Sequence, residues 1–138
     1  VEEQAERQMV ELTLRNMRTG MQFAMAEAIM RQHEGEIAAW AGSDPTRWLE
    51  VPPVGYRGEC SPEGRRKLPE GAWCFDSEHQ ELVYRPRNTK QLHGFVEGQQ
   101  CSQLAWRGVS AGDGGEGGGS VGMRIEPAST CRWLLEGS

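Results

Sequence analysis

The feature that most constrains this chain of 138 residues is a helical stripe near its start. Between Val10 and Met30 the residues Val10, Leu14, Met17, Met21, Ala24 and Ala28 recur at spacings of four, three, four, three and four. Residues three or four apart are neighbours on a helix surface, so these six make one face, read as the face that packs on a core. The pattern predicts a helix from about Glu3 to about Glu34, with Gly35 as a stop or kink and "EIAAW" as a further turn. Such a rod is roughly 45–50 Å long at about 1.5 Å per residue. A compact body of this length has a radius of gyration of only about 14 Å, so one helix end is expected to project beyond it. The opening "VEEQAERQ" carries four charges and no continuous stripe, which assigns the projection to the N-terminal turns.

The length suits one domain over 1–138, divided into helix (1–40), connecting loop (41–71) and antiparallel sheet (72–138). A net charge of -5 excludes a nucleic-acid binder driven by overall charge, because phosphate affinity needs many Lys and Arg. No run of about 20 apolar residues is present to span a bilayer, and there is no secretion signal. Apolar content is low at 37%, but five Trp and the helix pattern argue for a folded chain.

Cys60, Cys74, Cys101 and Cys131 show no C-x-x-C and no nearby His, which disfavours zinc. An even count in a small chain fits two disulfides and an oxidising compartment. Three pairings are possible. Cys60 with Cys74 and Cys101 with Cys131 is favoured, because each closes a short loop around an expected strand.

From Ala41 to Gly71 five Pro and several Gly break every periodicity, as in a long loop pinned by Trp40, Trp48, Leu49, Val51 and Tyr56 and stapled by Cys60. So long a loop in a compact domain signifies function or concealed structure. "AWCFD", the turn "SEHQ" and "ELVYR" then read as a hairpin. "SQLAWRGV", "SVGMRIE" and "CRWLLE" supply further strands, the second alternating Val121, Met123 and Ile125 against Gly122, Arg124 and Glu126. The fold class is α+β, with the helix stripe on one face of four or five antiparallel strands.

Catalytic patterns are absent from the text of the chain, and no enzyme, cofactor or metal is expected. His33, His79 and His93 lack metal-ligand spacing, and Asp44, Glu70 and Asp76 are acids of the kind any acidic chain supplies. "AGDGGEGGGS", Ala111 to Ser120, reads as a hairpin tip; a calcium site on Asp113 and Glu116 is the alternative, and two acids make a poor one. The clusters Arg65–Lys67 and Arg85–Arg87 read as solvated surface, with docking on an acidic partner as the alternative. Met9, Met17, Met21, Met25 and Met30 suit gap-filling in a core, or a helix packed against neighbouring copies.

A leading helix, a Pro/Gly-rich loop, an antiparallel sheet and a late cysteine pair together resemble the type IV pilin-like family. "NMRTGMQFAMAEAIM" resembles the second half of the pilin helix, "DPTRWL" the segment after it, and "GAWCFDSEHQELVYRPRN" the first sheet hairpin of pseudopilin-like proteins. The similarity covers nearly the whole chain by architecture. It implies an apolar half-helix ahead of Val1, about 25 residues and long enough to span a bilayer, with a cleavage site and a methylated N-terminus. It also implies a non-enzymatic filament subunit, held in the inner membrane with a periplasmic globular domain, or extracellular in an assembled pilus. Its partners are other pilin or pseudopilin subunits, met through exposed turns around Glu2, Glu3, Glu6 and Arg7. The four cysteines and the lack of a late acidic cluster point to a minor pilin or minor pseudopilin. A secreted or surface binding module, an adhesin using exposed Trp and the glycine-rich loop to hold a glycan or protein, is the alternative; a small periplasmic enzyme is a third.

Overall fold

The N-terminal stripe forms one helix, α1 (Glu3–Met30), in the computed structural model, which describes residues 2–94, 101–110 and 122–133. Val10, Leu14, Met17, Met21 and Ala28 are buried and Ala24 is half-buried. The helix stops short of Glu34. Gln32 adopts a left-handed conformation at φ 60°, and the N–H groups of Gln32 and His33 turn back to the carbonyls of Ile29 (3.0 Å) and Ala28 (2.7 Å). Those two bonds satisfy the last carbonyls and end the helix without a glycine. Gly35, expected as the stop, lies inside a 3-10 helix, Glu34–Trp40.

Segment 41–71, expected as a loop, holds a 3-10 helix (Pro45–Trp48), strand β1 (Tyr56–Cys60) and helix α2 (Pro62–Arg66). Each helix begins on a capping side chain followed by proline. The Asp44 carboxylate accepts from the Thr46 N–H at 2.9 Å, and the Ser61 hydroxyl accepts from the Gly64 N–H at 2.9 Å. Strand β1 escaped the alternation rule because Gly58 sits at φ 81° and the register slips between Tyr56 and Glu59. A bulged edge strand tolerates both.

β1 runs parallel to β2 (Trp73–Asp76), joined to it by a crossover of about a dozen residues that contains α2. β2 turns back into β3 (Glu81–Tyr84), with Trp73 opposite Tyr84 and Asp76 opposite Glu81. β4 (Leu92–Gly94) leaves the main sheet, which continues with β5 (Leu104–Ser110) and β6 (Met123–Pro127). The strand order is β1-β2-β3-β5-β6, and β4 pairs separately with β7 (Cys131–Trp133). The main sheet is therefore mixed and not wholly antiparallel, because the crossover through α2 returns the chain alongside β1 in the same direction.

Both faces of this sheet are covered. In front, the α1 stripe packs over Trp73, Phe75, Leu82, Tyr84, Trp106 and Ile125, with Trp73 rings 4.5 Å from Tyr84 and 5.7 Å from Trp106. Behind, Leu68 from the α2 crossover packs with Ala72, Cys74, Val83 and Ala105. Strand β2 is accordingly buried at every position. Disulfides join Cys60 to Cys74 and Cys101 to Cys131, at sequence separations of 14 and 30. The first ties β1 to β2, and the second ties the approach to β5 to β7. The glycine-rich stretch with Asp113 and Glu116, Val121, and Leu134 to Glu136 of the last expected strand lie outside the described residues.

Candidate interaction face

The first turn of α1 does not project. Glu6 continues the buried stripe four residues before Val10 and is only 1% exposed. Its Oε2 accepts from the Tyr84 hydroxyl (2.5 Å) and the Arg87 N–H (2.7 Å), and its Oε1 from the Asn88 N–H (3.0 Å) and the Asn88 Nδ2 (2.9 Å). Burial by itself would raise the Glu6 pKa; the bonds from Tyr84, Arg87 and Asn88 outweigh it and hold the carboxyl below the usual range. The Tyr84 hydroxyl is pushed up by burial and by the carboxylate it donates to. One turn earlier, Glu3 Oε2 accepts from the Gln91 N–H (2.6 Å) and the Trp133 Nε1 (3.0 Å). Two carboxylates on the first turn thus fasten α1 to β3, to segment 87–91 and to β7, where the helix dipole also favours negative charge.

Of the residues expected at a subunit interface, then, Glu6 points inward and Glu3 is engaged within the chain. Arg7 donates to Glu11 at 3.0 Å across one helical turn, and Glu2 is exposed. The physical reason is periodicity: Glu3 and Glu6 lie on the N-terminal continuation of the core stripe, so the body reaches them.

The other charged candidates hold the fold together. Asp76 is fully buried and accepts from Arg65 (3.0 Å), from the N–H groups of Glu78 and His79, and pairs with His79 Nδ1 at 2.8 Å. Burial raises its pKa, and the bonds from Arg65 and His79 overcome that and hold it low. Arg65 also reaches Glu81 (2.8 Å), which takes Arg107 at 2.6 Å. Asp44 accepts from the Tyr56 hydroxyl, whose pKa burial and Asp44 push up to about 12. Glu70 is exposed, so Asp44, Glu70 and Asp76 are not brought together. Within the basic clusters Arg66, Lys67 and Arg87 are exposed, as expected of solvated surface, whereas Arg65 and Arg85 are half-buried, Arg85 donating to the Leu68 carbonyl at 3.0 Å. Among the described residues no group of three His, Cys, Asp or Glu is placed to hold a metal ion, and no helix is long and apolar enough to cross a membrane.

What remains open is the outer face of α1. Met9 and Leu12 are each 50% exposed, Phe23 73% and Met30 83%, with Val51 at 72% beside Phe23. Trp48 to Val51 lie along the helix at Gly20, where the Trp48 carbonyl comes within 2.0 Å of where a Cβ would stand. These apolar side chains form two groups on one helix face, Met9 with Leu12 and Phe23 with Val51, separated by the exposed Asn16 and Thr19. The five Trp make no exposed aromatic platform: Trp73, Trp106 and Trp133 are buried, and Trp40 and Trp48 are half-buried around the Arg47 guanidinium. A groove of about 490 Å³ also runs between α1 and the β5–β7 region, floored by Val10, Leu14, Leu104, Trp106, Pro127 and Trp133. No family model, no curated protein and no solved structure matches the chain.

Proposed function

We propose that this chain is a structural subunit of a filament, a minor pilin or pseudopilin of a type IV pilus or a type II secretion pseudopilus, and that it acts by packing rather than by catalysis. The supporting observation is the division of α1 between two duties. One face is fastened to the body of the domain from Glu3 to Ala28, while the opposite face leaves Met9, Leu12, Phe23 and Met30 in solvent. A rod held rigidly along one side and apolar along the other suits a subunit that stacks with neighbours. In this reading an apolar segment ahead of Val1 anchors the subunit in the inner membrane until assembly, the globular part stays outside the cytoplasm, and the disulfides suit that oxidising side.

Deleting the gene is expected to reduce filament assembly or the secretion that depends on it, with recovery on complementation. Normal assembly and secretion without the gene, and a full-length chain found outside filaments, overturn the reading. A secreted binding module is the second reading, favoured by the groove over Trp106 and Trp133, whose volume lies within the range of small-molecule sites. Saturable binding of a glycan or peptide that Glu11→Trp, at the exposed rim of the groove, blocks with folding intact selects it.

A further inference from the structure

The exposed residues of α1 obey a heptad. Starting from Glu2, every seventh residue is Met9, Asn16, Phe23 and Met30, and three positions after each of the first four come Ala5, Leu12, Thr19 and Ala26. All of these are exposed, so the helix carries a second seam on the side away from its body. Alternating steps of three and four are the spacing by which one helix packs lengthwise on another.

We infer that this seam joins α1 to the α1 of a second copy of the same chain, parallel and in register, with Asn16 facing Asn16. The register follows from composition. A single Asn flanked by the apolar first positions Met9, Phe23 and Met30 selects alignment with its own copy, because each amide offers the other both a donor and an acceptor, at the cost of setting the exposed Glu2 opposite Glu2 at the helix end. The flanks permit this pairing. In a parallel pair Gln8 faces Thr13 and Gln22 faces Glu27 of the other copy, neither a like-charged couple, while Arg15 meets the Trp48–Val51 segment that covers Gly20. Extent permits it too. With roughly 200 Å² for a fully exposed large side chain, Met9, Leu12, Phe23 and Met30 offer roughly 500 Å² per copy, and a two-fold pair reaches the roughly 1,000 Å² that a specific interface requires. Val51, exposed beside Phe23, adds to one flank.

The inference shares its helix face with the filament reading but does not depend on filaments, since it concerns the isolated chain. Sedimentation velocity from micromolar to millimolar concentration should show reversible dimerisation. Phe23→Glu should weaken it by at least about 100-fold, as removal of a buried anchor does, with circular dichroism and thermal midpoint unchanged. Orientation is read by adding one thiol at a time, every described native cysteine being in a disulfide. Met9→Cys should cross-link to itself and Met30→Cys to itself. A chain that stays monomeric at millimolar concentration, or cross-links that form only between Met9→Cys and Met30→Cys copies, overturns the inference. Either result leaves the filament reading standing, because a different subunit can occupy the seam.

Discussion

Replacing Glu6 by Gln tests the fastening of α1 with almost no change in shape. Each carboxylate oxygen accepts two hydrogen bonds, so an amide in either orientation turns its NH2 toward two donors. A hydrogen bond to a charged group contributes about 1.5–3 kcal/mol net, and the Tyr84 hydroxyl and Asn88 amide can rotate to recover part of the loss, which leaves an expected cost of about 3 kcal/mol at pH 7. The assay is urea unfolding followed by tryptophan fluorescence with disulfides intact, where the midpoint should fall at constant slope. The sign of the pH dependence adds a second check. Because the Glu6 pKa is lower in the folded state, its stabilisation is complete above the unfolded value, about 4.3, and disappears as pH falls through the folded one. The gap between the parent chain and Glu6→Gln should therefore hold at pH 7 and close below about pH 4. A loss under about 1 kcal/mol at pH 7, or a gap unchanged in acid, would refute the reasoning.

Gly20→Ala should destabilise by more than about 2 kcal/mol despite the better helix propensity of Ala, since its Cβ meets the Trp48 carbonyl at 2.0 Å. Gly35→Ala, where a Cβ meets nothing within 4 Å, should be neutral or stabilise by up to about 0.5 kcal/mol in the same unfolding assay. Replacing Cys101 and Cys131 together by Ser opens the loop of separation 30 and should cost about 3.5 kcal/mol, and replacing Cys60 and Cys74 about 3 kcal/mol. Non-reducing peptide mapping checks the pairing directly, and a Cys60–Cys131 or Cys74–Cys101 peptide would contradict it. Asp76→Asn should cost about 2 kcal/mol at pH 7 and less in acid, because an amide that keeps its oxygen on the Glu78 and His79 N–H groups turns its NH2 toward the Arg65 guanidinium.

The parts of this fold written in short-range pattern were legible. Helix α1 shows itself in its 3-4 spacing, and the β2–β3 hairpin in its alternation around a short turn. Strand β1 was concealed because Gly58 and a bulge break its period, and its parallel partner is chosen by a long-range crossover that no local pattern encodes. The end of α1 was misplaced because Gln32, rather than a glycine, takes the left-handed turn. Glu6 and the outer seam were both present in the helix text. Extending the stripe back from Val10 by one turn reaches Glu6, and counting sevens from Met9 reaches Phe23 and Met30. Charge suggested solvent at Glu6, but three elements converge there and supply enough donors to hold a buried carboxylate.

The most direct measurement is the amount of this chain in filaments isolated from its own cells, beside a Phe23→Glu form made at the same level from the full gene. Expected is the parent chain in the filament fraction in substoichiometric amount, with the folded Phe23→Glu form left in the membrane. Equal recovery of both forms in filaments, or the parent chain absent from them, contradicts assembly through the outer face of α1.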